Sequence, residues 1–164
     1  MTQATATGET EAEVRDRLVG TWKLVSAEET LKDGSTRPFP QFGPRAKGSL
    51  MYQGHGYMSA FLVNPDLSTT PSHGTLGRHN ARNRVFAYCG RYEIDAERKQ
   101  IVHLPEIATD PAFVGSRQVR PYQFEGERLI FSDVEKNDPA VSGWKIVWEK
   151  VEPLSGRLSP PAKS

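Results

Sequence analysis

From Gly20 onward the apolar residues of this chain recur at every second position, and that period constrains it to β structure rather than helix. Successive side chains of a strand point to opposite faces, so a period of two sends one set inward and the other to solvent. The pattern is least expected over Phe86-Ala-Tyr-Cys-Gly-Arg-Tyr92, Val102-His103 and Val114-Gly-Ser-Arg-Gln-Val-Arg120. There His103, Gln118, Arg120 and several aromatics fall on faces otherwise built from apolar residues. A polar group on a buried face is unfavourable unless it is paired or used, so these positions are the first candidates for function.

With 164 residues, 37% hydrophobic and 25% charged, the chain fits one soluble globular domain. A chain of this size buries roughly 70% of its unfolded surface, enough for a core without staples. Lys and Arg total 21 against 20 Asp and Glu, and a net charge of +1 offers no field for nucleic acid or an anionic membrane. The expected partner is therefore a small molecule or another protein. Cys89 is the only cysteine, which excludes an internal disulfide framework and a cysteine-based zinc site within one chain. Met1 to Glu13 has neither the basic start nor the apolar run of a secretory signal. No segment approaches the roughly 18 apolar residues of a membrane span, and the expected location is cytoplasmic.

Thr10-Glu-Ala-Glu13 has capping-box spacing, and Val14, Leu18 and Val19 follow on a helical stripe, which predicts a helix of two turns. In the first strand Trp22, Leu24 and Ser26 share one face, and Thr21, Lys23, Val25 and Ala27 the other. Residues 31–44 carry Pro38, Pro40 and Pro44 with Gly34 and Gly43 and read as an irregular connection. Strands over 47–52 and 57–63 flank Gln53-Gly-His-Gly56, a hairpin-length link. Residues 64–84 form the longest interruption, of the kind that serves as a lid or binding loop. Further strands are expected over 85–94, 100–107, 115–124, 128–132 and 144–151, with disordered ends over 1–9 and 153–164 around a domain of 10–152. About eight short strands indicate an antiparallel sandwich or barrel, and closure is favoured because it removes the edges.

Gly20-Thr-Trp22, Gly90-Arg-Tyr92, Val102-His103, Val114-Gly115 with Gln118 and Arg120, and Glu125-Gly-Glu-Arg-Leu129 together resemble the bacterial and fungal lipocalin-like domain family over roughly residues 18–151. The resemblance implies an all-β, up-and-down lipocalin-like barrel of about eight strands with a ligand-sized interior. Some members of that family look like cofactor-free isomerases or cyclases of natural-product pathways. The run Gly77-Arg-His-Asn-Ala-Arg-Asn-Arg84 departs from the family by being markedly basic.

Parity places Phe86, Tyr88, Tyr92 and Ile94 on one face, then Ile101, His103 and Ile107, then Gln118, Arg120, Tyr122 and Phe124, with Trp144, Ile146 and Trp148 as an apolar wall. Such an interior suits a planar, hydrophobic or aromatic molecule. The candidate catalytic residues are His103, Arg120 and Tyr88: a neutral imidazole moves a proton beside a carbonyl, the guanidinium stabilises the enolate, and a tyrosine returns the proton. Tyr92, Gln118, Tyr122, Trp144 and Trp148 are the candidate substrate-binding residues, and the scheme needs no cofactor. Each has a structural alternative. An inward histidine such as His103 is more often a hydrogen-bonded core residue than a catalyst, Arg120 reads also as the partner of Glu93 or Glu106 or as packing on an end tryptophan, and Trp22 as filler of the closed end.

His55 is expected in an exposed turn, and His73 and His79, with only Asp66 nearby, do not make a metal site. No phosphate-cradling glycine loop is present. Two classes remain: an isomerase or cyclase acting on an aromatic or polyketide-derived molecule, and a carrier that holds a hydrophobic ligand unchanged. Polar residues on three inner faces favour the enzyme.

Overall fold

The computed structural model describes residues 8–67, 84–153 and 155. Most of the two ends expected to be disordered, and residues 68–83 of the long interruption with His73, His79, Arg78 and Arg82, lie outside them.

Helix α1 (Glu11–Leu18) begins at the capping box foreseen in the sequence. The Thr10 hydroxyl accepts from the Glu13 backbone N–H, and the Thr10 backbone N–H donates to the Glu13 carboxylate. Both partners satisfy donors that the first helical turn leaves open. Val14 and Leu18, one turn apart, are fully buried. The strands follow as β1 (Gly20–Leu31), β2 (Thr36–Pro38), β3 (Lys47–Tyr52), β4 (Tyr57–Val63), β5 (Val85–Asp95), β6 (Gln100–Ala108), β7 (Gln118–Glu125), β8 (Arg128–Val134) and β9 (Val141–Lys150).

Each strand from β3 to β9 pairs antiparallel with the next, and β1 pairs with both β3 and β9. This closes a ring of eight strands. Strand β2 stays outside the ring count because it pairs only with residues 28–30 of β1, on the edge that β3 occupies further along. Closure leaves few free ladder edges and encloses an interior.

Two bulges correct the parity read from the sequence. On β1 the register steps from Leu24–Trp148 to Ser26–Val147, so Val25 is an extra residue. Beyond it Ala27, rather than Ser26, joins the core with Trp22. On β6 the register steps from Gly90–Pro105 to Cys89–Ile107, so Glu106 is extra. Ile107, expected inward beside His103, is consequently 66% exposed, and Ala108 packs inward in its place. Gly90 is required at this step: a Cβ there would stand 2.1 Å from the Leu104 carbonyl oxygen.

One end of the barrel is closed. Trp22, Tyr52, Met58, Ile101 and Leu129 are buried there together with Val14 and Leu18 of α1. The Trp22 indole N–H donates to the Leu18 carbonyl at 2.8 Å, and the Lys150 ammonium donates to the carbonyls of Arg17 and Val19. These contacts satisfy the C-terminal carbonyls of α1 and fix the helix over the base. No helix among the described residues is long and apolar enough to cross a membrane.

Candidate functional site

Toward the other end, the barrel holds a cavity of about 420 Å³. Its walls come from inward positions of seven strands, among them Leu50, Ala60, Tyr88, His103, Arg120, Phe131 and Trp148. An aromatic rim surrounds it. Phe42 from the connection after β2 lies 6.2 Å from Phe86, and Phe113 from a short 3₁₀ turn (Pro111–Phe113) packs edge-on to Phe86 at 4.9 Å and beside Tyr88 at 5.2 Å.

His103 lies at the deep end of this cavity and is 1% exposed. The Tyr52 hydroxyl stands 2.5 Å from its Nε2, and the Tyr88 hydroxyl 2.8 Å from its Nδ1. A neutral imidazole has one donor and one acceptor nitrogen, so one tyrosine donates to the ring and the other accepts from it. Tyr52 is buried beneath the cavity and has no other side-chain partner among the described residues. Were it the acceptor, its own proton would be left without a partner, at a cost of about 1–3 kcal/mol. The favoured tautomer therefore has Tyr52 donating to Nε2 and Nδ1–H donating to Tyr88. Tyr88 lines the cavity, and its hydroxyl proton is then available to whatever occupies that space.

The electrostatics agree with a neutral ring. Burial pushes the imidazole well below its ordinary pKa, and the Arg120 guanidinium pushes it the same way. Burial raises Tyr52 well above the ordinary phenol value. Tyr88 is also raised by burial, with Arg120 offsetting part of the effect. Around neutral pH the cavity presents phenol and guanidinium donors rather than a free base.

Arg120 does not pair with Glu93 or Glu106, the carboxylates considered from the sequence. Glu93 pairs with Arg117 at 3.0 Å, while Glu106 accepts from the Tyr57 hydroxyl at 3.0 Å and lies 3.8 Å from Arg91. Both glutamates are on the outer face, opposite in parity to the inward residues. Arg120 reaches the Gln118 side-chain oxygen and the Val119 carbonyl at 3.4 Å each, and its guanidinium carbon stands 5.8 Å from the Trp144 ring centre. The packing against an end tryptophan is the alternative that occurs.

Of the eight positions singled out in the sequence, five meet at the cavity: Tyr88, His103, Arg120, Trp144 and Trp148. Gln118 adjoins it through Arg120 and is otherwise tied to the Ser116 hydroxyl. Tyr92 and Tyr122 are buried in the core apart from the cavity lining. The Tyr92 hydroxyl donates to the Gln53 carbonyl at 2.7 Å, and its ring meets Tyr52 edge-on at 5.0 Å. His55 is exposed in its turn.

Sequence reasoning missed Tyr52, although alternation with Leu50 put it on the inner face. Its partnership with His103 spans 51 residues and has no local signal. Phe39, Phe42 and Phe113 were missed as rim residues, and their signal was aromatic residues in otherwise polar or proline-bearing connections.

A family model described as a lipocalin-like domain matches residues 19–151, the whole ring of strands. No curated protein matches the chain. The barrel and its interior support a small-molecule-binding domain.

Proposed function

The chain belongs to the lipocalin-like domain family, and on that premise we propose that the cavity binds a planar, largely apolar small molecule through an oxygen atom held by Tyr88 and Arg120. The carrying observation is the convergence of these two donors within one cavity of about 420 Å³ that is otherwise walled by aromatic and aliphatic side chains. Aromatic walls cover the faces of a flat ligand, and a small number of polar groups orient it. The Tyr88 hydroxyl donates to a carbonyl or enol oxygen, and Arg120 adds charge-assisted attraction.

The test uses N-phenyl-1-naphthylamine, a neutral probe whose emission rises in apolar surroundings. Saturable binding to the wild type that is abolished by Ala60→Trp, which fills the cavity from β4, is the expected result. Binding unaffected by that substitution would put the probe elsewhere and remove the reading.

The hydrogen-bond chain Tyr88–His103–Tyr52 favours a second reading, a cofactor-free isomerase or cyclase of an aromatic or polyketide-derived molecule. In it Tyr88 touches the substrate and His103 is a positioning residue acting through Tyr88, in place of the direct proton abstraction expected from the sequence. Mass and retention analysis after incubation separates the two. A carrier returns its ligand unaltered, whereas the enzyme yields an isomer whose formation is lost in His103→Phe while probe binding persists.

A further inference from the structure

No side chain of this protein answers the charge of Arg120. All 20 Asp and Glu side chains fall within the described residues, because residues 1–7, 68–83, 154 and 156–164 contain none. None of these carboxylates lies within 4.0 Å of the Arg120 guanidinium: the ion pairs at that distance belong to Arg17, Arg37, Arg45, Arg91, Arg98 and Arg117. Glu135 shares the cavity wall, but its Oε1 is engaged by the backbone N–H groups of Lys136 and Asn137 at 2.8 and 2.6 Å. Arg120 is met by uncharged groups alone: two oxygens at 3.4 Å, the Tyr88 hydroxyl beside it and the face of Trp144. A guanidinium drawn partly out of water without a counter-charge is unfavourable, and an anion in the cavity relieves that cost.

We propose that the ligand is an organic anion, a flat aromatic body bearing an acidic group, and that Arg120 is its counter-charge and the determinant of its selection over neutral analogues. The proposal deepens the binding reading above and rests on it.

The experiment compares two probes of nearly the same shape, 1-anilinonaphthalene-8-sulfonate, which carries a negative charge, and neutral N-phenyl-1-naphthylamine. Fluorescence titrations are made on the wild type, Arg120→Met, Arg120→Lys and Ala60→Trp. The wild type is expected to bind the sulfonate about tenfold or more tightly than the neutral probe, as a hydrogen bond to a charged group implies. Arg120→Met should weaken the sulfonate about tenfold to a hundredfold more than it weakens the neutral probe, while Arg120→Lys retains part of the preference. Equal wild-type affinities, or equal weakening of both probes by Arg120→Met, overturn the anion assignment and leave the cavity reading intact. If neither probe binds, or both bind Ala60→Trp as they bind the wild type, the cavity reading fails and the assignment fails with it. The wild-type comparison decides the matter even if a variant does not fold.

Discussion

His103 is held neutral by its surroundings, and this has a consequence for stability as pH falls. In the unfolded chain an imidazole takes up a proton near its ordinary value of 6.5, whereas in the barrel burial and Arg120 hold it well below that. Below 6.5 the unfolded state therefore binds more protons than the folded one, and the linkage relation makes stability fall with falling pH. The contribution is fully present above that value and is lost progressively toward the folded one. Urea midpoints measured between about pH 7 and pH 5 should decline for the wild type, and the decline should flatten in His103→Phe whatever that variant's absolute stability. The two tyrosines separate by role. Tyr52→Phe leaves the buried Nε2 without a donor and is expected to cost about 1–3 kcal/mol of stability in urea unfolding, with ligand affinity preserved. Tyr88→Phe leaves the buried Nδ1–H without its acceptor at a similar cost, and it alone should also weaken the ligand, because Tyr88 is the member of the chain that faces the cavity.

The bulge on β6 is the element that sets the site's parity. Glu106 is looped out opposite the Gly90 step, which turns Ile107 to solvent and Ala108 inward. Gly90→Ala drives a Cβ into the Leu104 carbonyl and is expected to destabilise the protein by about 3 kcal/mol or more, read from its urea midpoint. The base depends similarly on α1: Leu18 is fully buried, and Leu18→Ala should cost about 2–5 kcal/mol in the same assay. The elements differ in how far the sequence disclosed them. The β3–β4 hairpin falls on residues 47–52 and 57–63 as read, because alternation and a glycine-bearing link are both local signals. The capping box of α1 was legible for the same reason. Neither bulge was legible: each adds one residue whose extra status exists only relative to a partner strand, so parity counted along β1 or β6 alone runs past it. Strand β2 was hidden in a connection whose prolines and glycines argued against pairing.

At the scale of the molecule, the closed base and the aromatic-rimmed cavity divide the barrel's buried polar groups between structure and binding. Tyr92 and the Trp22 indole N–H are tied to backbone carbonyls near the closed end, while Tyr88, Arg120 and Trp148 line the cavity. Sequence parity found most of the second group but could not separate it from Tyr92 and Tyr122, since all share one inward face and only depth along the barrel distinguishes them. The flat ligand proposed for the cavity is held by an oxygen set on Tyr88. Calorimetric titration of wild type and Tyr88→Phe with a planar aromatic ketone such as 2-acetonaphthone tests it most directly. A single site is expected in the wild type, with affinity lower by about threefold to tenfold in the variant, the worth of one hydrogen bond. No binding to the wild type, or the same affinity in both proteins, would contradict it.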